Sequence, residues 1–233
     1  MKDHYKYSLE ELKSSQNQSF YTFGKTLIPG GSQLLSKRPE MFAPDVWPSY
    51  YSKAKGSRVW DLDGREFIDM SIMGVGACIL GYADEDVDNQ VINAIKKGVS
   101  SSLNCPEEVR LAEQLVNMHP WFDMVRFAKS GGEAMSIAIR IARAHTSRDI
   151  VMFSGYHGWH DWYLAANLGD TSNLDGQLLP GLEPAGVPRA LAGTAIPFDA
   201  NDIDSIRSLI LGKEKNIAAI VIEPARGEEA SEG

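Results

Sequence analysis

The stretch VRFAKSGGEA, residues 125–134, joins an apolar strand pattern to a Ser-Gly-Gly turn and then to the start of a helix pattern. The order of these patterns predicts a strand over 124–128 and a helix over 133–145. Two glycines let the backbone approach a ligand closely, and the unpaired amides of a first helical turn favour an anion such as phosphate. The same residues also suit a plain tight connection in which Ser130 caps the helix, so both interpretations remain open.

On the C-terminal side of this stretch, strand and helix patterns alternate. Strands are predicted over 150–154 and 217–222 and a helix over 202–211, and the last strand is almost wholly apolar. A strand of that composition is typical of a parallel sheet buried on both faces. The pattern therefore predicts an α/β fold, with a mainly parallel sheet and helices on both faces. The region 168–193 is rich in Gly, Pro and Leu without a period, which predicts a long loop.

The N-terminal part of the chain carries helix signals at three places. Ser8-Leu-Glu-Glu11 matches a capping box and predicts a short helix that runs toward Phe20. Apolar residues at helical spacing predict a second helix from Asp84 to Gly98 and a third around residues 109–116.

A hairpin is predicted between the first two of these helices. Strand patterns at 59–62 and 65–69 flank the dipeptide Asp63-Gly64. This dipeptide tolerates positive φ angles, so it predicts a two-residue type I′ turn.

The segment FSGYHGWHDWY, residues 153–163, directly follows a predicted strand. Ligands of doubly wound sheets bind outside the carboxyl ends of the strands, where the flat ring of Tyr156 can stack on a heteroaromatic ring. His157, His160 and Asp161 allow a second interpretation as a zinc site, because imidazole and carboxylate groups ligate zinc. The other aromatic residues of the segment are expected in the core or at a subunit interface: Trp159, Trp162 and Tyr163.

A carboxylate ends the last predicted strand, in the segment AAIVIEPARGE at residues 218–228. A charge at the carboxyl end of a parallel strand often points into a site, so Glu223 is a candidate site residue. Glu228 suits a site and a solvated loop equally well.

The composition excludes several classes of protein. The 233 residues are 43% hydrophobic and 23% charged with a net charge of -8, which favours a globular protein and argues against a nucleic-acid surface. Cys78 and Cys105 have no CxxC spacing, so no disulfide framework or structural metal site is expected. Residues 1–16 are polar and do not contain the apolar stretch of a signal peptide, and the longest apolar run, 72–80, is too short to span a bilayer. We expect a cytoplasmic protein with no nucleic-acid and no membrane partner.

Several segments together resemble the class III aminotransferases of fold type I, and within them the glutamate-1-semialdehyde aminomutase-like group. The resemblance covers nearly the whole chain, and its strength lies in the order of its motifs rather than in any one of them. These are LIPGG at 27–31, GSRVWDLDG at 56–64, FID at 67–69, ILG at 79–81, VRF at 125–127, SGGEA at 130–134, YHG at 156–158 and IVIEP at 220–224.

The resemblance implies a pyridoxal 5'-phosphate enzyme that acts on a small amine and a keto or aldehyde substrate and is a homodimer when complete. In such enzymes the cofactor forms a Schiff base with a lysine and acts as an electron sink. Carried over by position, Ser130, Gly131 and Gly132 would hold the phosphate and Tyr156 would stack on the ring. His157 and Glu223 would belong to the same site, with Glu223 toward the substrate.

The chain departs from the family pattern at two places. The family usually has Thr where this chain has Gly132, so one side-chain donor to the phosphate is absent. Gly74 and Val75 stand where the aminomutases have Ser-Trp, which puts glutamate-1-semialdehyde in doubt as the substrate and favours intermolecular transamination of another small amine.

The family's Schiff-base lysine and ring-nitrogen aspartate follow the Glu-Pro strand, whereas the nine residues after Pro224 include neither Asp nor Lys. We therefore expect no catalytic lysine in this chain, its place being after Gly233. The chain is interpreted as an N-terminal portion, incomplete at the C-terminus and inactive alone. Residues 1–80 would form the arm, hairpin and small-domain segment, and residues 81–233 the first part of the large cofactor-binding domain. A catalytically inactive phosphate-binding, cofactor-binding or assembly module is the alternative.

Overall fold

The computed structural model of the protein describes residues 6–177 and 181–223. The chain divides into an N-terminal unit, Met1–Cys105, and a C-terminal unit, Pro106–Gly233. The predicted domains, 1–80 and 81–233, concern the organisation of the complete enzyme and stay a prediction.

Two helices, α1 (Leu9–Lys13) and α2 (Gln16–Leu27), open the N-terminal unit. The predicted capping box is present, because the Ser8 hydroxyl accepts the Glu11 amide and the Glu11 carboxylate accepts the Ser8 amide. The single predicted helix is divided because Ser15 caps a second one. Two short 3-10 helices follow, Leu35–Lys37 and Pro39–Met41.

An antiparallel sheet of three strands follows, in the order β1 (Tyr51–Lys55), β2 (Arg58–Asp61) and β3 (Glu66–Ile68). The predicted hairpin exists between β2 and β3, but the two-residue type I′ turn is wrong. The loop has three residues, 62–64, because Asp61 and Arg65 are joined by a backbone hydrogen bond of 3.0 Å. Of the loop residues only Gly64 has a positive φ, +75°, as expected for a type I turn followed by a glycine bulge.

The Asp61 carboxylate is the reason for this turn. It accepts the amides of Asp63 and Arg65 at 3.0 and 2.9 Å and the Arg65 guanidinium at 2.7 Å. Its side chain is 1% exposed, so these bonds are shielded from water. A charged or polar group left without a partner there would strongly destabilise the fold. Asp61 therefore closes the hairpin and carries a buried ion pair.

The second predicted helix, from Asp84 to Gly98, is confirmed as α3 (Glu85–Lys97). The Asp84 side chain accepts the Val87 amide at its N-terminus, and Gly98, with a φ of +99°, ends it. The two ends are determined by local side-chain and glycine preferences, which explains why the sequence predicts them.

The C-terminal unit begins with α4 (Pro106–Met118) and α5 (Gly131–Thr146), both as predicted. The strand predicted over 124–128 does not form, and these residues are irregular. Within the part of the chain that the structure describes, no strand pairs with this segment, and Met124 is 88% exposed. An apolar run forms a strand only where a neighbour accepts its backbone hydrogen bonds.

A parallel sheet lies at the centre of this unit, in the order β5 (Ala195–Pro197), β4 (Ile150–Ser154) and β6 (Ile217–Ile222). Helix α7 (Ile203–Ile210) connects β5 to β6, and β4 pairs with both of its neighbours in parallel. The predicted mainly parallel α/β class is confirmed. The short strand β5 was not predicted; it ends in a proline, which an edge strand accepts.

The described residues between 169 and 193 are irregular, as predicted, apart from a 3-10 helix at Arg189–Leu191. This loop is nevertheless part of the core, because Leu174 is fully buried and Val187 nearly so. The Asn167 side chain ties the loop down by accepting the Leu174 amide at 3.0 Å and donating to the Leu182 carbonyl at 2.6 Å.

The core of the C-terminal unit surrounds β4. Phe153 packs against Tyr163 with ring centroids 4.8 Å apart and against Trp162 at 5.9 Å. Both partners come from helix α6 (Asp161–Leu164), which continues into a 3-10 helix, Ala165–Leu168. In residues 6–177 and 181–223, no helix is long and apolar enough to cross a membrane.

The Asp61 interaction gives a stability prediction. Asp61→Ala is expected to lower the free energy of unfolding by about 3 kcal/mol, because it leaves two amides without their acceptor and removes the shortest ion pair of the largely buried Arg65 guanidinium, which keeps only the Asp63 carboxylate and the Glu11 carbonyl. Urea denaturation, together with hydrogen exchange at the amides of Asp63 and Arg65, measures the loss. The matched control is Glu85→Ala, whose carboxylate pairs with Lys55 on the surface and is 81% exposed. Equal stability of the two variants would contradict the assigned role.

Candidate functional site

The carboxyl ends of β4 and β6 meet at one edge of the parallel sheet. Ser154 is paired with Ile222, so the next residues, Gly155 and Glu223, lie side by side. Gly155 has a φ of +99°, and a Cβ there would lie 2.9 Å from Glu223 Oε2 and 3.6 Å from His157 Nε2. A glycine is therefore required for the loop to turn next to the Glu223 carboxylate.

Three hydrogen bonds hold this turn. The Gly155 amide donates to Gln177 Oε1 at 2.7 Å, and the Gly155 carbonyl accepts the Tyr163 hydroxyl at 3.3 Å. His157 Nε2 bonds to the Ser154 carbonyl at 2.8 Å. Because the carbonyl is an acceptor, the imidazole carries its proton on Nε2.

Tyr156 comes directly after the turn and is half-buried. Its ring meets Tyr163 edge to face, with centroids 5.7 Å apart and planes at 81°. Burial raises the pKa of the Tyr156 phenol above its usual range, so the group is neutral at neutral pH. A neutral aromatic ring, supported by the core on one side, is suited to stacking on a flat ligand.

His157 packs among aromatic residues of the core. Its ring lies near-parallel to that of Trp162 at a centroid distance of 6.5 Å and edge to face with Phe153 at 6.2 Å. No group of three side chains able to hold a metal ion is found in residues 6–177 and 181–223. His157 thus supports the loop that presents Tyr156.

The N-terminus of α5 forms the second part of the site. Ser130 is the N-cap: its hydroxyl accepts the Glu133 amide at 3.3 Å, and the Glu133 carboxylate accepts the amides of Lys129 and Ser130, both at 3.0 Å. Among the residues that the structure describes, the amides of Gly131 and Gly132 have no acceptor. The Ser130 oxygen already accepts a bond, so its proton is available to a ligand.

The two parts of the site touch through their backbones. A Cβ on Gly158 would lie 2.9 Å from Gly132 Cα, and a Cβ on Gly132 would lie 2.7 Å from both Cδ2 and Nε2 of His160. The loop after β4 therefore presses against the first turn of α5 with no side chain between them.

The structure thus brings the candidate residues into two neighbouring groups joined by the short loop 155–160. One group contains the free amides of α5 beside Gly158 and His160, and the other contains His157 and Glu223 beside Gly155. Of the aromatic residues expected in the core or at a subunit interface, Trp162 and Tyr163 are buried in the core, whereas Trp159 is 70% exposed and its place at an interface stays a prediction. Glu228 lies outside the described residues.

Sequence reasoning missed two contributors to the geometry. Gln177 lies in the unpatterned loop, 8% exposed, and holds the Gly155 amide across 22 residues of sequence. Nothing in its local pattern marks it, because a single glutamine in a loop has no periodicity. His160 was considered only as a metal ligand, and its contact with Gly132 depends on the fold of both segments.

Comparison with known proteins relates this arrangement to enzymes of known type. The family model described as Aminotransferase class-III matches residues 42–230. The chain is 33% identical over 216 residues to a 3-aminobutyryl-CoA aminotransferase of Cloacimonas acidaminovorans, covering 92% of this chain and 48% of the relative. It is 37% identical over 203 residues to a glutamate-1-semialdehyde 2,1-aminomutase of Ruminiclostridium cellulolyticum, covering 86% and 45%.

The fold agrees with the sequence comparison. An omega-transaminase from Sphaerobacter thermophilus superposes with a TM-score of 0.73 at 30% identity, over 91% of this chain and 48% of that one. The chain spans about half the length of the relatives it matches. The resemblance noted in the sequence and the expected transaminase fold are confirmed, and the chain belongs to the class III aminotransferase family.

Proposed function

We propose that this chain supplies the phosphate-binding and ring-stacking part of a pyridoxal-phosphate-dependent aminotransferase or aminomutase. The observation that carries the proposal is the contact between the free amides at the N-terminus of α5 and the loop that presents Tyr156. An anion group and a flat ring, joined in one molecule, fit this combination. A solved relative is described as a transaminase with PLP bound, at 25% identity and a TM-score of 0.75.

Each candidate residue has a distinct part in this proposal. The amides of Gly131 and Gly132 and the hydroxyl of Ser130 donate to the phosphate, while Tyr156 lies against the ring. His157 acts indirectly, because its bond to the Ser154 carbonyl holds the loop of Tyr156 in place. When bound, the cofactor supplies an electron sink that stabilises a carbanion next to the substrate nitrogen.

Glu223 is proposed on the substrate side of the cofactor ring. Its carboxylate lies beside Gly155, at the carboxyl end of the sheet where ligands of this architecture bind. A carboxylate there attracts a protonated amine, which is the form in which amino donors arrive at neutral pH. The small amine and keto or aldehyde substrates inferred for the complete enzyme are consistent with this charge.

The lysine that family enzymes use is proposed to lie outside this chain, in the half of the relatives' length that the chain does not span. We also infer a homodimer and a cytoplasmic location for the complete protein. Large exposed apolar side chains support a surface that is covered in the assembled enzyme; in the C-terminal unit they include Trp121 and Met124, 75% and 88% exposed.

Stacking by Tyr156 is testable by substitution. Tyr156→Ala is expected to weaken pyridoxal phosphate binding about two- to tenfold, because aromatic stacking contributes roughly 0.5–1.5 kcal/mol beyond area burial. Tyr156→Phe keeps the ring and is the matched control. Fluorescence titration of each purified variant measures the affinity, and an alanine variant that binds as tightly as the phenylalanine variant would rule out stacking.

The purified chain is expected to bind the cofactor but to catalyse no transamination, because the lysine that accepts the cofactor and moves the proton is proposed to lie elsewhere. The measurement is borohydride reduction in the presence of pyridoxal phosphate, followed by peptide mapping of modified lysines and an assay of amino-donor turnover. Stoichiometric labelling of one lysine, such as Lys129, together with turnover, would show that the chain is catalytically complete. Absence of any cofactor binding would instead contradict the proposed function.

A further inference from the structure

The imidazole of His160 occupies the space that a side chain at position 132 would enter. A Cβ built on Gly132 would meet Cδ2 and Nε2 of this ring at 2.7 Å each. Such distances are closer than carbon and nitrogen atoms approach without overlap, so position 132 accepts only glycine while the ring stays where it is. The threonine of the family pattern and the imidazole of His160 would therefore occupy the same space, so this chain has room for only one of them.

Gly158 fixes this arrangement from the other side. Its φ is +94°, and a Cβ there would lie 2.9 Å from Gly132 Cα and 3.7 Å from His160 Cδ2. Both glycines are thus required for the loop to bring the imidazole against the first turn of α5. The loop thus places the imidazole of His160 next to Gly132, which has no side chain of its own.

Apart from a tilted ring contact with Trp159 at a centroid distance of 6.4 Å, the described residues give the side chain of His160 no polar partner. His160 stands at the N-cap of α6, yet its side chain forms no capping bond there. The backbone carbonyl alone accepts the amides of Tyr163 and Leu164, at 2.9 and 3.1 Å. No residue among 6–177 and 181–223 forms a hydrogen bond with the imidazole, which is half-buried beside the free amides of Gly131 and Gly132.

We propose that His160 Nε2–H is a donor to the phosphate of the bound cofactor and replaces the hydroxyl that a threonine at position 132 provides in other members of the family. This inference rests on the proposed function, because it requires that the phosphate lies at the N-terminus of α5. The imidazole can donate from Nε2 as one neutral tautomer and as the cation. A hydrogen bond to an ionised phosphate is stronger than one between neutral groups, so the replacement matters for cofactor retention.

Two substitutions distinguish the effect of the His160 N–H donor from the effect of the volume of its ring. His160→Phe keeps a flat ring and removes the donor, whereas His160→Gln places an amide N–H close to the position of Nε2. The probes are pyridoxal phosphate and pyridoxal, which lacks the phosphate, titrated by fluorescence into the purified protein. His160→Phe is expected to lose about tenfold in affinity for pyridoxal phosphate with no change for pyridoxal, and His160→Gln is expected to stay within about threefold of the parent.

The reciprocal exchange tests the shared space. Gly132→Thr alone is expected to lower the thermal unfolding midpoint of the cofactor-free protein, because its side chain overlaps the imidazole. His160→Ala added to it should restore both the midpoint and the affinity for pyridoxal phosphate, since the threonine hydroxyl then has its space. This readout does not depend on activity.

The binding results distinguish the inferred role of His160 from the proposed cofactor binding of the chain. The first outcome to consider is that the parent binds pyridoxal phosphate and that His160→Phe changes the affinities for pyridoxal phosphate and pyridoxal by the same factor. His160 is then a packing residue. This outcome overturns the inference and leaves the proposed function standing. A parent that binds neither compound overturns both. If His160→Phe does not fold, His160→Gln and the double exchange decide: a double variant that regains stability but not affinity also overturns the inference.

Discussion

The close backbone approach between Gly132 and Gly158 is the constraint on which the site depends. A Cβ on Gly158 would lie 2.9 Å from Gly132 Cα, so only a glycine at position 158 lets the loop after β4 rest on the first turn of α5. A Cβ on Gly132 would instead meet the imidazole of His160 at 2.7 Å, so a glycine is needed there as long as that ring keeps its place. Two groups that are 24 residues or more apart in sequence thus become neighbours because two side chains are absent.

The features predicted from the sequence are those determined by neighbouring residues. The capping boxes at Ser8 and Ser130 and the glycine end of α3 at Gly98 are local, so their patterns identify them. The failures involve partners distant in space. The apolar run at 124–128 reads as a strand, yet strand formation depends on a neighbour, and the turn at Asp63-Gly64 was mistaken because a buried carboxylate one residue before the loop overrides the preference of the dipeptide.

The same distinction applies to the candidate site. The position of Tyr156 after a strand and that of Ser130 before a helix follow from element order, and the first of these places Tyr156 at the edge of the sheet where ligands bind. The roles of His160 and Gln177 do not follow in this way. Each acts across the fold, His160 on Gly132 and Gln177 on Gly155, and neither contact has a spacing that a sequence pattern could reveal.

The two interpretations of the Ser-Gly-Gly turn, helix cap and phosphate loop, are compatible, and the donors of the turn can be assigned one by one. Ser130 Oγ takes the Glu133 amide, and the Ser130 carbonyl takes that of Ala134. The Glu133 carboxylate accepts the amides of Lys129 and Ser130. It also stabilises the helix by its negative charge near the positive end of the macrodipole.

That assignment leaves the amides of Gly131 and Gly132 and the Ser130 proton for an anion. The Glu133 charge next to them opposes the approach of a phosphate, so the remaining donors must offset this repulsion. A phosphate has three terminal oxygens, each able to accept more than one bond, and three donors from one side of the helix leave part of that capacity to water. A side chain that approaches from the loop side, where His160 lies against Gly132, would reach a phosphate bound at these amides from a direction that the helix cannot supply.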